Sequence, residues 1–171
     1  MMPNLQDYPK FYRWLTLPFT RKPNRVQALQ RMNRILTFAM PVIYSLVFCW
    51  LFLRKTSIGG IWPFIWIPAS GFVLLSIFRH WVNVPRPNEK WELQPLLEKK
   101  SSGHSFPSRH VFSATIISMC VCQLSLLLGM CSMLLSLLLA FVRVLGGVHY
   151  PKDVFAAWVL GLIWGELFLL L

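Results

Sequence analysis

The sequence of 171 residues predicts an all-α protein, a polytopic bundle of about five transmembrane spans with an interfacial helix at the N-terminus. Three observations predict it. Hydrophobic residues make up 56% of the chain and charged residues only 13%, roughly half the charged share of a water-soluble domain. Uncharged runs of roughly 20 residues, the length a helix needs to cross the hydrocarbon core, recur along the chain. Polar residues gather in breaks between those runs. The same composition excludes a disordered chain, a collagen-like repeat and a disulfide scaffold.

Residues 1–34 are basic, with Lys10, Arg13, Arg21, Lys22, Arg25, Arg31 and Arg34 against the single acid Asp7. Within them Phe11–Phe19 is rich in aromatic residues but too short to span, which predicts a helix lying in the headgroup layer. The alternative is a solvated basic tail that fixes topology. Two units result, an interfacial segment over 1–34 and a transmembrane unit over 35–171. In the second, Ile35–Leu53 supplies the first span and Thr56–Phe78 the next, kinked at Gly59, Gly60, Pro63 and Pro68. Val111–Val142 carries no charge and is too long for one span, so it predicts two helices with a tight turn near Gly129, the second running to about Leu145. Val154–Leu171, interrupted by Glu166, closes the set. Because the third and fourth spans form a hairpin, the polar stretch Arg79–Arg109 and the shorter break Gly146–Asp153 share one face of the membrane.

Cys49, Cys120, Cys122 and Cys131 lie inside apolar runs without ligand-like spacing to histidine and read as small packing residues. The net charge of +11 would suit nucleic acid, but beside runs of membrane length the expected partner is a bilayer with anionic lipids, and no nucleic acid.

The polar breaks hold a chemically complete set. Arg79 and Arg86 lie seven apart at the end of the second span, so a continuing helix would stack them on one face until Pro87 stops it. Guanidinium groups hold phosphate oxygens bidentately. Ser108, Arg109 and His110 immediately precede the third span, where a serine N-cap and the free N–H groups of a helix end attract anions. Arg143, His149 and Asp153 occupy the other break. If that stretch is helical, the i, i+4 spacing lets Asp153 take one imidazole nitrogen of His149 and leave the other as a nucleophile. Each cluster alone is also what an ordinary membrane protein shows: topology-setting arginines, a capped helix, a His–Asp pair at a helix start. Together, on one face, they are an inventory for phosphoryl transfer.

In order and spacing, Arg79-x6-Arg86-Pro87, Pro107-Ser108-Arg109-His110 and Val142-Arg143-x5-His149-x3-Asp153 resemble the three-part signature K-x6-RP, PSGH, SR-x5-H-x3-D of the membrane type 2 phosphatidic acid phosphatases (PAP2). Three positions depart from it. Arg79 stands for Lys, Arg109 for Gly and Val142 for Ser. Ser101-Ser102-Gly103-His104 also resembles the middle motif, but it lacks the proline and lies six residues before the apolar run, so His110 is preferred. His80 and His104 are left as loop or interfacial histidines, with His104 near the mouth of the site.

The resemblance implies a membrane lipid phosphatase. His149 would attack phosphorus and form a phosphohistidine, and His110 would act as acid and then base. Asp153 would orient His149, while Arg79, Arg86, Ser108, Arg109 and Arg143 bind the phosphoryl oxygens. It implies no cofactor and no metal. The substrates it implies are undecaprenyl diphosphate, phosphatidylglycerol phosphate and phosphatidic acid, with the additional cation at Arg109 favouring a diphosphate. The competing readings are a non-catalytic protein that binds anionic headgroups and, less favoured, an anion transporter. Sidedness divides the arguments, since the basic N-terminus places the site's face in the cytoplasm by the positive-inside tendency while the resemblance implies an outward-facing site.

Overall fold

The computed structural model describes residues 7–91, 93–97 and 102–170. Residues 1–6 of the interfacial segment, Ser101 of the rejected alignment and Leu171 of the last span lie outside the described residues. The protein is an all-α bundle, with no strand among the described residues: α1 (Tyr8–Thr20), α2 (Pro23–Leu53), α3 (Ile58–Val82), the single turn α4 (Pro87–Lys90), α5 (Arg109–Cys122), α6 (Leu126–Leu145) and α7 (Pro151–Gly165), the last continued by a 3-10 turn, Glu166–Leu170.

Four helical stretches are long and apolar enough to cross a membrane: Pro23–Leu53, Ile58–Lys90, Leu126–Leu145 and Pro151–Leu170. The expected third span is shorter than the rest. With 14 residues α5 is about 21 Å long, against a hydrocarbon core of about 30 Å. It is instead the central post of the bundle, packed by α2, α3, α6 and α7, and Val111, Ala114, Ile116 and Cys120 are almost wholly inaccessible. A helix sheathed by protein meets little lipid along its length, so it escapes the length that lipid demands.

The turn of this hairpin falls at Gln123–Ser125, not at Gly129. Ser125 caps α6 by accepting from the Leu128 N–H at 3.5 Å, which halts the apolar run earlier than its glycine suggested. Gly129 serves close packing: a Cβ there would lie 2.2 Å from Cys122 Sγ and 2.7 Å from its Cα. At the other end of the chain, α2 starts at Pro23 and runs unbroken through residue 34, so the boundary drawn between residues 34 and 35 falls inside a helix.

One of the two prolines inside α3 is compensated by a side chain. Pro68 cannot donate to the carbonyl of Phe64, and Tyr44 Oη takes that carbonyl at 2.6 Å. Apolar residues fill the interior in two clusters, one around Leu36, Ala114, Leu139 and Val142 and one around Phe64, Phe112, Ala157 and Phe168. Outside, Phe38 of α2, Trp62 and Trp66 of α3 and Leu134 of α6 are exposed, as a lipid-facing surface requires. All four cysteines are free. Cys120 is a packing residue as expected, whereas Cys49 and Cys131 face outward.

Candidate active site

One end of the bundle gathers the polar breaks. Arg79 comes from the last turn of α3, Arg86 from the residue before α4, Arg109 and His110 from the first turn of α5, Arg143 from the last turn of α6, and Asp153 from the first turn of α7; His149 sits in the link between α6 and α7. Backbone bonds sew these pieces together: Ser108 N–H to the Asp153 carbonyl at 3.1 Å, Ser105 N–H to Val84 at 2.8 Å, Leu97 N–H to Gly146 at 3.1 Å.

Local structure departs from expectation around the two first arginines. Asn83, in the left-handed region with φ 37°, ends α3, and its N–H returns to the Arg79 carbonyl. Arg86 is therefore on extended chain, so it shares no helical face with Arg79, and Pro87 starts a turn instead of stopping one. Both guanidinium groups reach backbone carbonyls. Arg79 donates to His104 and, at 3.3 Å, to Ser105; Arg86 donates to Gly103 at 3.0 Å and to Val148 at 3.1 Å. Glu89 completes this frame by accepting the Arg86 N–H at 3.0 Å and the Gly103 N–H at 2.8 Å.

Asp153 is fully buried, and its Oδ2 accepts the Tyr150 N–H at 3.0 Å and the Ser105 hydroxyl at 2.5 Å. The Nδ1 of His149 stands 3.6 Å from that same oxygen, beyond hydrogen-bond length, and 3.5 Å from Ser105 Oγ. Ser105 therefore bridges them: its hydroxyl donates to the carboxylate and turns its oxygen to the imidazole. This His–Asp pair does not lie on one helix, because His149 precedes α7. The tether is Asp153 at the third position of α7, folded back onto the N-cap. Burial drives the pKa of His149 down to about 3; Asp153 opposes this and the charges of Arg143 and Arg86 add to it. The imidazole is neutral, and with a carboxylate and a hydroxyl at Nδ1 its lone pair is left on Nε2.

His110 differs. It is half-buried and accepts at Nδ1, 3.0 Å from Arg143 Nη2, a group that can only donate, so its ring proton lies on Nε2. Arg143 Nη1 also reaches Asn33 Oδ1 of α2 at 3.4 Å. A polar cavity of about 440 Å3 opens beside this pair, lined by Asn33, Thr37, His110 and Arg143; an apolar one of about 430 Å3, with Pro41, Phe72, Arg109 and Ile117 in its wall, meets it at Thr37 and His110. His149 lines neither.

Ser108 occupies the N-cap position of α5 but makes no side-chain cap bond, contrary to expectation. Its Oγ is buried without a partner, and so is Arg143 Nε. Each such atom costs about 1–3 kcal/mol. Arg109 is exposed at the helix start. His104 holds the Arg79 carbonyl through Nδ1 at 3.0 Å and stacks at 5.6 Å on His80, which belongs to the last turn of α3 and not to a loop. Among the described residues, no three His, Cys, Asp or Glu side chains cluster as metal ligands would.

Sequence reasoning missed Ser105, Glu89 and Asn33. Ser105 sits in an irregular loop where no periodicity marks a partner. Asn33 lay in what read as a basic tail.

Fold and site together define a multi-pass helical membrane bundle whose polar breaks, two histidines among them, gather at one end. The chain belongs to the PAP2 superfamily, whose sequence profile matches residues 60–171. Two solved structures share the fold. One is the crystal structure of Aquifex aeolicus LpxE, 22% identical, with TM-score 0.71 over 95% of this chain and 94% of that one. The other is the first transmembrane PAP2 type phosphatidylglycerolphosphate phosphatase from Bacillus subtilis, 21% identical, with TM-score 0.70 over 91% of this chain and 79% of that one. No curated protein sequence matches the chain. Membership supports, at the level of the family, a multi-pass membrane lipid phosphatase.

Proposed function

We propose that the protein hydrolyses a phosphomonoester or diphosphate of a membrane lipid through a phosphohistidine on His149. The observation that carries this reading is that Ser108 Oγ and Arg143 Nε are buried without a hydrogen-bond partner, while the same Arg143 donates to His110 and its charge bears on His149. A phosphoryl group would satisfy both.

In this scheme Nε2 of His149 attacks phosphorus in line, a P–N bond forms and the P–O bond to the lipid breaks. His110 acts here as the imidazolium: its Nδ1 gains a proton and lets go of Arg143 as the phosphoryl group takes that guanidinium, and its Nε2 then gives a proton to the departing oxygen, which leaves as the lipid alcohol or, from a diphosphate, as the lipid monophosphate, with His110 left neutral. His110 then takes a proton from water; that water attacks the phosphohistidine, releasing inorganic phosphate and free His149. Arg143, Ser108 and the N–H groups at the start of α5 hold the nonbridging oxygens, and Arg79 and Arg86 add positive charge while holding the wall at 103–105 and 148. The Ser105–Asp153 bridge keeps His149 in its nucleophilic tautomer. No metal ion or cofactor has a role.

The substrate is amphiphilic, because the polar cavity at His110 continues into an apolar one between α2 and α5. Undecaprenyl diphosphate, phosphatidylglycerol phosphate and phosphatidic acid fit this description, and Arg109 favours the diphosphate; equal preference after Arg109→Gly would remove that ground. Following the family resemblance, the site opens on the outer face. Here α5 is the short third of five traverses, and α1, with Arg13, Trp14 and Leu17 outward, rests on anionic lipid. An impermeant thiol reagent should then label Lys90→Cys in intact cells, in a background without the native cysteines; protection until lysis would place the site inside.

Phosphate release from a panel of these lipids by purified protein, with and without a chelator, tests the activity. Turnover that survives chelation and vanishes in His149→Ala supports the scheme. Headgroup binding without turnover favours the scaffold reading, and a strict need for added divalent ion overturns the arginine-based site.

A further inference from the structure

The α1 helix lies outside the segment that matches the family, yet it packs on the loop that carries His149. Tyr8, Tyr12 and Thr16, one turn apart, form its buried face, at 6%, 3% and 4% exposure, while Lys10, Arg13, Trp14 and Leu17 point away from the bundle. Tyr12 Oη donates to the Leu145 carbonyl at 3.3 Å, at the last residue of α6. Its ring fills the space beside Gly147, where φ is +72° and a Cβ would lie 2.5 Å from Tyr12 Oη and 2.9 Å from Cζ. Tyr8 meets the ring of Tyr150 edge-on at 4.8 Å. The two tyrosines thus grip Leu145–Tyr150 at both ends, and His149 lies between. Arg25 fixes the far end of α1 by donating to the Pro18 carbonyl at 2.9 Å.

We propose that Tyr12 is a positioning residue, and that α1 is a clamp on the Leu145–Tyr150 loop which holds His149 in its attacking orientation. This rests on the hydrolase reading for its catalytic consequence but not for the clamp itself. Gly147 belongs to the same device: its left-handed turn is the one conformation that passes the chain beneath the Tyr12 ring, and a side chain there would meet that ring. A helix of 13 residues with an aromatic and basic outer face gains its seat from the lipid surface as well as from the bundle.

The experiment uses the full-length purified protein and two variants, Tyr12→Ala and Tyr12→Phe. Amide hydrogen exchange over 145–150 reads the clamp without reference to activity. Exchange there should quicken in Tyr12→Ala while the interiors of α5 and α6 keep their protection, and Tyr12→Phe, which keeps the ring, should stay closer to the parent. With phosphatidic acid in mixed micelles, kcat should fall by about tenfold or more in Tyr12→Ala and by about two- to fivefold in Tyr12→Phe, the loss of one hydrogen bond, with KM nearly unmoved. Unchanged exchange in Tyr12→Ala overturns the clamp. Faster exchange with an unchanged kcat overturns its role in positioning. A rise in KM at constant kcat makes α1 a lipid-docking element instead, and also overturns it. If the parent releases no phosphate from any lipid, the hydrolase reading fails, and the exchange measurement still decides whether α1 holds the loop.

Discussion

The two histidines of the site occupy opposite environments. His149 is 1% exposed, lies on an irregular link, and is framed by Ser105, Asp153 and the backbone bonds of the loop around it. His110 is on a helix, half-buried, and lines both cavities. A nucleophile works from one protonation state and one orientation, and burial beside a tethered carboxylate supplies both. An acid that must become a base has to exchange its proton with substrate and water, which an open cavity permits. The difference supports the proposed roles on a ground that the motif spacing, which treats the two residues alike, does not supply.

The largest effect separates them directly. His149→Ala should lower turnover of every substrate by on the order of 10^6-fold, since no phosphohistidine can form. His110→Ala should cost about 10^2- to 10^4-fold with a lipid phosphate, whose alkoxide leaves badly without a proton. With p-nitrophenyl phosphate, a good leaving group, His110→Ala should release a burst of about one nitrophenol per protein and then slow, because the phosphohistidine waits for its base. A burst in His149→Ala, or none in His110→Ala, would exchange or abolish the roles.

A smaller effect tests the bridge to the buried histidine. Removing the hydroxyl in Ser105→Ala leaves Asp153 Oδ2 with one donor fewer and His149 Nδ1 facing a carboxylate 3.6 Å away. Losing a hydrogen bond to a charged group should lower kcat by roughly 10- to 100-fold, and Ser105→Thr should recover most of it. Full activity in Ser105→Ala would mean that the carboxylate closes on the imidazole by itself.

The bundle and the convergence of its polar breaks were legible from run lengths, because hydrophobic length is a strict demand of the bilayer and a hairpin forces its open ends together. The short α5 was not, since its enclosure by four other helices depends on tertiary packing that a run of uncharged residues does not encode. The motif residues Arg79, Arg86, Ser108, His110, Arg143, His149 and Asp153 meet at one end as the spacing suggested. The local geometry was less legible: Arg86 left its helix because Asn83 took a left-handed cap, and Ser108 was read as a cap although its hydroxyl makes none. Ser105 and Tyr12 escaped for a common reason. Each acts on His149 across a long sequence separation, Ser105 from an irregular loop and Tyr12 from a helix that reads on its own as a lipid anchor.

The mildest prediction concerns pH. His149 has its pKa lowered in the folded protein, so it stays neutral when folded and takes a proton when unfolded between about 3 and its ordinary value near 6.5. In that window the unfolded state binds more protons, and stability falls as pH falls, by up to about 1.4 kcal/mol per pH unit from this group. His149→Gln removes the term. In detergent, the drop in unfolding temperature from pH 7 to pH 5 should therefore be smaller in His149→Gln than in the parent, even if the variant starts less stable. An equal drop in the two proteins would show that His149 takes up its proton in the folded state as well, and the contrast between a sealed nucleophile and an open proton carrier would have to be abandoned.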